Sequence, residues 1–110
     1  MLFHVTMTHS VDNCPAYHNE KMPALLASLE KLDEVGKQLN VKAHELLWGA
    51  PEHVIFAVLE ADNYGAVGRY LTSIALTQDF EITPVQNVSE FVLFAKEMMA
   101  QARNAPMPQK

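Results

Sequence analysis

The beginning of the chain alternates between apolar and polar residues. In residues 2–9, the odd positions 3, 5 and 7 are apolar and the even positions 4, 6 and 8 are polar. A period of two is typical of a β-strand that buries one face. The pattern therefore predicts a first strand over residues 2–9, with His4 on its polar face.

Three later segments have the period of an amphipathic helix. Apolar residues recur there at intervals of three and four, in residues 23–39, 63–75 and 88–102. Pro15 and Pro23 both suit a first helical position, so the first helix is expected to begin at one of these prolines. Asp62 is expected to cap the second helix. In the third helix, Phe94 lies beside the main apolar stripe and predicts an additional contact.

The remaining apolar segments are short and predict strands. They cover residues 41–48, 53–61 and 80–85. The first two flank Gly49-Ala-Pro-Glu52, which is a turn sequence, so these two strands are expected to form a hairpin. Pro84 has no N–H group to donate to a neighbouring strand, and the last strand is therefore expected at an edge of the sheet.

The predicted elements follow the order β-α-β-β-α-β with an extra helix at the end. This order defines an α+β, ferredoxin-like domain over residues 1–102 with the sheet order 4-1-3-2, followed by a flexible tail over residues 103–110. Both crossover helices then cover one face of the sheet. The other face, which holds His4, has no cover within the chain. Because large exposed apolar patches are rare on monomers, we expect a homodimer.

The composition argues against several classes of partner. The 110 residues are 49% hydrophobic and 19% charged, which is typical of one compact domain. With 8 Lys and Arg against 13 Asp and Glu and no basic stripe, we expect no binding to nucleic acid. The chain shows no signal-peptide pattern and no apolar run of about 18 residues, so we expect no membrane association. A single cysteine fits a reducing compartment, and the predicted location is the cytoplasm.

The predicted topology brings possible metal ligands to one end of the sheet. The first two strands end where the third begins, so His9 and His53 should meet there, with Trp48 along the wall. The first helix should also begin there, and a helix from Pro15 would project Cys14 and His18 from one side. Imidazole nitrogens and a thiolate suit zinc, copper or iron. We therefore predict a metal site formed by four residues: His9, Cys14, His18 and His53.

Two other interpretations of these residues remain open. Cys14 can be a buried structural residue beside three surface histidines, because the chain has neither a CxxC pair nor an HxxxH pair. Alternatively, a helix N-terminus can lower the pKa of a thiol, which would make Cys14 a nucleophile or a redox group. No oriented base for such a thiol is evident in the sequence.

His4 and His44 form a second candidate group near the middle of their strands. A histidine facing a barrel interior can bind a ligand or act as a general acid or base near neutral pH. Trp48 and Tyr17 can line an apolar pocket for an aromatic or flat ligand. We predict that His4, His44 and Trp48 bind a small organic molecule. The alternative is that the histidines are hydrogen-bonded packing residues and the aromatic rings belong to the core and its rim.

The element order over residues 1–102 resembles that of the dimeric α/β-barrel group of ferredoxin-like proteins. Residues 51–61 and the capped helix after them are similar to the β3-α2 segment of barrel proteins with a Gly-Tyr-Asp signature, although Pro51-Glu-His53 stands in its place. The group includes muconolactone isomerase-like proteins, small antibiotic-biosynthesis-type monooxygenases and stress-responsive barrels. The resemblance implies the fold, a homodimer and isomerase or oxygenase activity, but no catalytic residue carries over. A non-catalytic module that binds or senses a metal or small ligand remains the alternative.

Overall fold

The computed structural model of the chain describes residues 1–104, which form four strands and four α-helices joined in part by short 3-10 turns. The strands are β1 Leu2–Thr8, β2 Lys42–Gly49, β3 Val54–Glu60 and β4 Asp79–Val85, and the helices are α1 Met22–Glu30, α2 Leu32–Leu39, α3 Tyr64–Thr72 and α4 Val88–Asn104. This order confirms the predicted α+β, ferredoxin-like fold. Most of the predicted tail, residues 105–110, lies outside the described residues.

The four strands form one antiparallel sheet in the order β2-β3-β1-β4. This is the predicted order, with β1 and β3 at the centre. Pro84 lies in the edge strand β4, opposite Phe3. An edge strand tolerates a residue without an N–H group because only one of its two sides is paired.

The core lies between the sheet and helices α1 to α3. Alternate residues of the two central strands are buried on this side: Phe3, Val5, Met7, Ile55, Ala57 and Leu59. They form one cluster with Leu25, Leu32 and residues of α3 such as Val67. Burying one such large apolar side chain stabilises the fold by about 1.5–3 kcal/mol. The period of two in β1 therefore identified the buried face correctly.

The start of the first helix differs from one of the two predicted positions. Residues 15–17 form a turn, and α1 begins only at Met22, with Pro23 in its first turn. A helix running on from Pro15 would hold Pro23 in its interior, where proline removes a hydrogen bond and clashes with the preceding turn. Cys14, the residue before Pro15, is extended, with ψ 122°, as residues before proline usually are. A second break at Lys31 separates α1 from α2.

Hydrogen bonds at two helix ends link α2 to α3. Asn63, not the predicted Asp62, caps α3, because its Oδ1 accepts a hydrogen bond of 2.8 Å from the Ala66 N–H. Asp62 instead accepts a 3.0 Å hydrogen bond from the amide of Asn40. Asn40 ends α2 in the left-handed conformation, with φ 55°. This bond links the end of α2 to the start of α3.

Helix α4 extends away from the rest of the molecule. The described chain measures 67 × 29 × 22 Å, and a helix of 17 residues adds about 25 Å to its length. No residue of α4 is buried, and its large apolar side chains are 43–77% exposed in the described chain. None of the helices in the described part of the chain is long and apolar enough to cross a membrane.

Candidate metal centre

Two histidines meet where the central strands come together. β1 and β3 are antiparallel, with Thr8 opposite Val54, so the residue after β1 lies beside the residue before β3. The backbone N–H of His9 donates to the carbonyl of His53 at 3.2 Å. This bond extends the strand pairing by one step and holds the two rings at the same end of the sheet.

The backbone of His53 has an uncommon conformation. Its φ is 56°, in the left-handed region, where histidine occurs more often than most other residues. The turn Ala50–Glu52 precedes it, and its N–H donates to the carbonyl of Ala50 at 3.2 Å. Such a conformation costs about 1 kcal/mol or more and occurs in turns and at functional sites. The turn therefore aims the His53 ring at the cost of some stability.

Cys14 reaches the same place from the loop after β1. The 3-10 turn Val11–Asn13 ends at this residue, whose N–H donates to the carbonyl of Val11 at 3.1 Å. The side chain of Cys14 is a free thiol and is buried, as is Pro15 after it. The turn shortens the loop and brings the sulfur back to the end of the sheet.

The three side chains have the spacing of metal ligands. One ligand atom from each of His9, Cys14 and His53 lies within 4.8 Å of the other two. Nδ1 of His53 and Nε2 of His9 are 3.3 Å apart, and their rings stand nearly perpendicular. In a tetrahedral site with zinc–nitrogen bonds of about 2.0–2.1 Å, two ligand nitrogens lie roughly 3.3 Å apart. The histidine pair thus has the separation that a tetrahedral metal requires.

The environment of His9 favours the neutral imidazole that binds metals. Only 8% of His9 is exposed, and its Nδ1 has no hydrogen-bond partner among the described residues. Burial, and to a lesser degree the charge of nearby His53, lowers the pKa of His9 from its ordinary value. A buried ring nitrogen without a partner costs roughly 1–3 kcal/mol. The lowered pKa favours the neutral ring, whose Nε2 faces His53 while its Nδ1 lacks a partner within the described chain.

Aromatic rings stand on two sides of the cluster. The ring centre of Trp48 lies 6.4 Å from that of His9, and the ring centre of Tyr17 lies 6.0 Å from that of His53. Trp48 is 40% exposed and Tyr17 is 65% exposed. The two rings flank the cluster and remain accessible to solvent.

His18 is not part of this cluster. Its Nδ1 lies 3.6 Å from a carboxylate oxygen of Glu20, and the group of close ligand atoms contains the other three predicted residues only. The prediction placed His18 one helical turn after Cys14, but residues 15–17 form a turn and the backbone of His18 is not helical. The physical basis for including His18 is therefore absent.

The second candidate group lies on the open sheet face, the side of the sheet away from α1 to α3. Nε2 of His44 donates to Oε1 of Glu60 at 2.7 Å, and this hydrogen bond is the main cause that lowers the pKa of Glu60. A β-bulge between Ala43 and Glu45 places His44 beside the end of β3. The pair borders a hollow of about 600 Å³ that is also lined by Leu2, Val58, Pro84, Val85, Asn87 and Glu90.

His4 and Trp48 do not lie together. The ring of His4 is 6.4 Å from that of Phe56 on the open sheet face, whereas Trp48 is opposite Ile55 in the strand register and therefore belongs to the side of the helices. Sequence reasoning missed Glu60 as the partner of His44. Its position at the end of β3 was the available signal, but the bulge that aligns the two side chains has no clear sequence pattern.

Fold and cluster together define a ferredoxin-like α+β protein with a His-Cys-His group at one end of its sheet. The chain belongs to the family described as a domain of unknown function (DUF3303), whose model matches residues 1–99. No curated protein matches the chain.

Two solved structures are similar to this chain. A crystal structure of muconolactone isomerase shares 22% identity, covers 79% of this chain and 90% of that one, and superposes with a TM-score of 0.54. A crystal structure of a dimeric ferredoxin-like protein from an uncultured marine organism shares 13% identity over 78% of this chain and 94% of that one, with a TM-score of 0.38. The first likeness confirms the predicted ferredoxin-like fold.

Proposed function

We propose that the protein binds a transition metal through His9, Cys14 and His53. The proposal rests on one observation, that the three ligand atoms lie within 4.8 Å of one another at a largely buried end of the sheet. Two imidazole nitrogens and a thiolate suit zinc, copper or iron. A water molecule or a substrate can supply the fourth ligand, so the set does not need His18.

Three protein ligands and one open position are typical of catalytic zinc sites. A metal held there would polarise a bound oxygen and lower the pKa of bound water. Trp48 and Tyr17 would receive the apolar part of a small organic molecule. An isomerase or an oxygenase of the barrel type fits these features, and a non-catalytic metal-binding or sensing module is the alternative, since both need the same three ligands.

The metal content of reconstituted protein tests the proposal. Wild-type protein, loaded with zinc and then desalted, should retain about one metal per chain. Replacing His9, Cys14 or His53 by Ala should weaken zinc affinity by more than about 10-fold, because even changes outside the ligand set can cost that much. His18→Ala is the matched control and should retain the metal. Wild-type protein without metal, or an equal loss in His18→Ala, would contradict the proposal.

The His44–Glu60 pair supports a second candidate function. A carboxylate that accepts a hydrogen bond from an imidazole orients the ring, which suits proton transfer by that ring. The adjoining hollow of about 600 Å³ has the volume of a small-molecule site. In this function His44 acts as the acid or base, Glu60 orients it, and His4 lines the same face. This acid–base site becomes the leading candidate if the wild-type protein retains no metal.

We also propose that the protein is a homodimer located in the cytoplasm. Leu47 and Phe56 are 56% and 40% exposed on the open sheet face, and a second copy would remove this apolar surface from water. A reducing compartment would keep Cys14 in the thiol form that a metal site requires.

A further inference from the structure

We infer that two copies of the chain exchange α4, so that the apolar side of each α4 packs on the open sheet face of the other copy. This inference rests on the proposed homodimer and deepens it by naming both contacting surfaces. It does not depend on the metal centre, which lies at one end of the sheet on the side of the helices.

The first surface is the apolar side of α4. Six large apolar residues at helical spacing lie along it and are 43–77% exposed: Val88, Phe91, Val92, Phe94, Met98 and Met99. Helices in proteins obtain most of their stability from packing such a side against another element. In the described chain α4 has no such element. The helix therefore carries an apolar stripe that requires a partner.

The second surface is the open sheet face. Leu47 in β2 is opposite Phe56 in β3, so an apolar pair lies on this face across two strands. Thr6 of β1 and Glu81 of β4 continue the row with polar side chains. None of the helices α1 to α3 covers this side, because their cluster lies on the buried side of the sheet. An antiparallel sheet can leave one face in solvent, but this face carries the exposed side chains of Leu47 and Phe56, and each copy of the chain carries one unpacked helix.

The two surfaces match in length and in area. α4 is about 25 Å long, and strands of seven residues are about 23 Å long. Two helix-on-sheet contacts, each about 10 Å wide and counted on both partners, bury roughly 1,000 Å² or more, which reaches the lower limit expected of a specific interface. An exchange of one helix in each direction therefore provides enough contact for a specific complex.

The charges around the two surfaces also complement each other. Lys96 and Arg103 border the apolar side of α4 at helical spacing. Glu45 in β2 is opposite Val58, and Glu81 in β4 is opposite Thr6, so both carboxylates lie on the open sheet face near its edges. The basic border of the helix would thus meet an acidic rim.

Every copy carries both surfaces, so the exchange can close with two-fold symmetry. Only Gln86 and Asn87 separate β4 from α4, and α4 continues away from its own sheet after this short link. A helix in that position reaches a neighbouring molecule without any change of the link. A second copy is therefore the occupant that we assign to each open face.

Two charged substitutions and one control test the exchange by light scattering. Phe91→Asp on the apolar side of α4 and Leu47→Asp on the open sheet face should each weaken dimerisation by roughly 10-fold or more, because each buries a charge. Leu93→Asp is the matched control, since Leu93 is 61% exposed on the other side of α4, and it should remain dimeric. Circular dichroism should show native secondary structure in all three variants.

Mixing Phe91→Asp with a second sheet variant, Leu47→Lys, provides the decisive step. Each variant alone should be weakened, but in their mixed dimer one contact joins two unchanged surfaces and the other brings an introduced carboxylate against an introduced ammonium group, so dimers should reappear on mixing. Absence of recovery, or a dimer unaffected by either substitution, would overturn the exchange. A monomeric wild type, as when α4 folds back on its own sheet, would overturn both the exchange and the homodimer. The metal content should remain about one per chain throughout, which keeps this test separate from that of the metal centre.

Discussion

The ring of His9 is buried at the end of β1, and one of its nitrogens has no partner within the described chain. Its other nitrogen lies 3.3 Å from His53, where without a metal one imidazole must donate and the other accept. This arrangement disfavours protonation of His9. It also leaves Nδ1 of His9 without a hydrogen-bond partner in the described chain. The same features that cost stability in the metal-free protein make His9 a ready ligand.

At the residue scale, we predict that the stability of metal-free protein falls with acidification. The pKa of His9 is lowered by folding, so below about pH 6.5 the unfolded chain binds a proton that the folded chain resists. The midpoint of thermal unfolding should therefore decrease as the pH falls through this range. His9→Gln should reduce the decrease, and His18→Ala should preserve it. If the midpoint of thermal unfolding depended on pH equally in wild type and His9→Gln, protonation of His9 would not be the cause.

The sequence predicted much of the cluster from strand direction alone. Antiparallel neighbours bring the end of β1 to the start of β3, and this places His9 beside His53. Cys14 arrives through a 3-10 turn rather than the predicted helix. The sequence offers two prolines, eight residues apart, at which the first helix could begin. The prediction for His18 assumed a helix that begins at Pro15, whereas α1 begins beside Pro23. Pro23 was the available signal, because a helix that continued from Pro15 would carry this proline in its interior.

At the element scale, the helices show where local patterns are sufficient and where they are not. Apolar spacing identified the helical segments, and Asn40 ends α2 in a left-handed conformation. Periodicity does not separate Asp62 from Asn63 as the cap of α3, because both residue types cap helices well. In the structure Asn63 caps the helix and Asp62 is held by the bond from Asn40. The break at Lys31 between α1 and α2 has no clear sequence pattern.

Two helical glycines provide a matched prediction at this scale. A Cβ on Gly36 would lie 2.8 Å from the carbonyl oxygen of Val41, whereas a Cβ on Gly68 would meet nothing within 4 Å. Gly36→Ala should therefore lower the free energy of unfolding by about 1–3 kcal/mol. Gly68→Ala should raise it by about 0.5–1 kcal/mol, because alanine favours a helix. Urea unfolding measures both, and equal effects would refute the steric reason.

At the scale of the whole molecule, one side of the sheet is complete and the other is not. Helices α1 to α3 close the core on Leu59 and its neighbours, while Phe56 on the opposite side remains exposed. The sequence predicted this uncovered face from topology. It could not show that α4 extends away from its own sheet, because an amphipathic stripe has the same pattern whether it packs within one chain or between two chains.

The coordination of bound zinc tests the central claim most directly. X-ray absorption at the zinc edge of reconstituted wild-type protein should show one sulfur ligand at about 2.3 Å and two imidazole nitrogens at about 2.0–2.1 Å. The sulfur contribution should disappear in Cys14→Ala and persist in His18→Ala. A spectrum with only oxygen and nitrogen ligands in the wild-type protein, or with its sulfur ligand unaffected by Cys14→Ala, would contradict a centre formed by His9, Cys14 and His53.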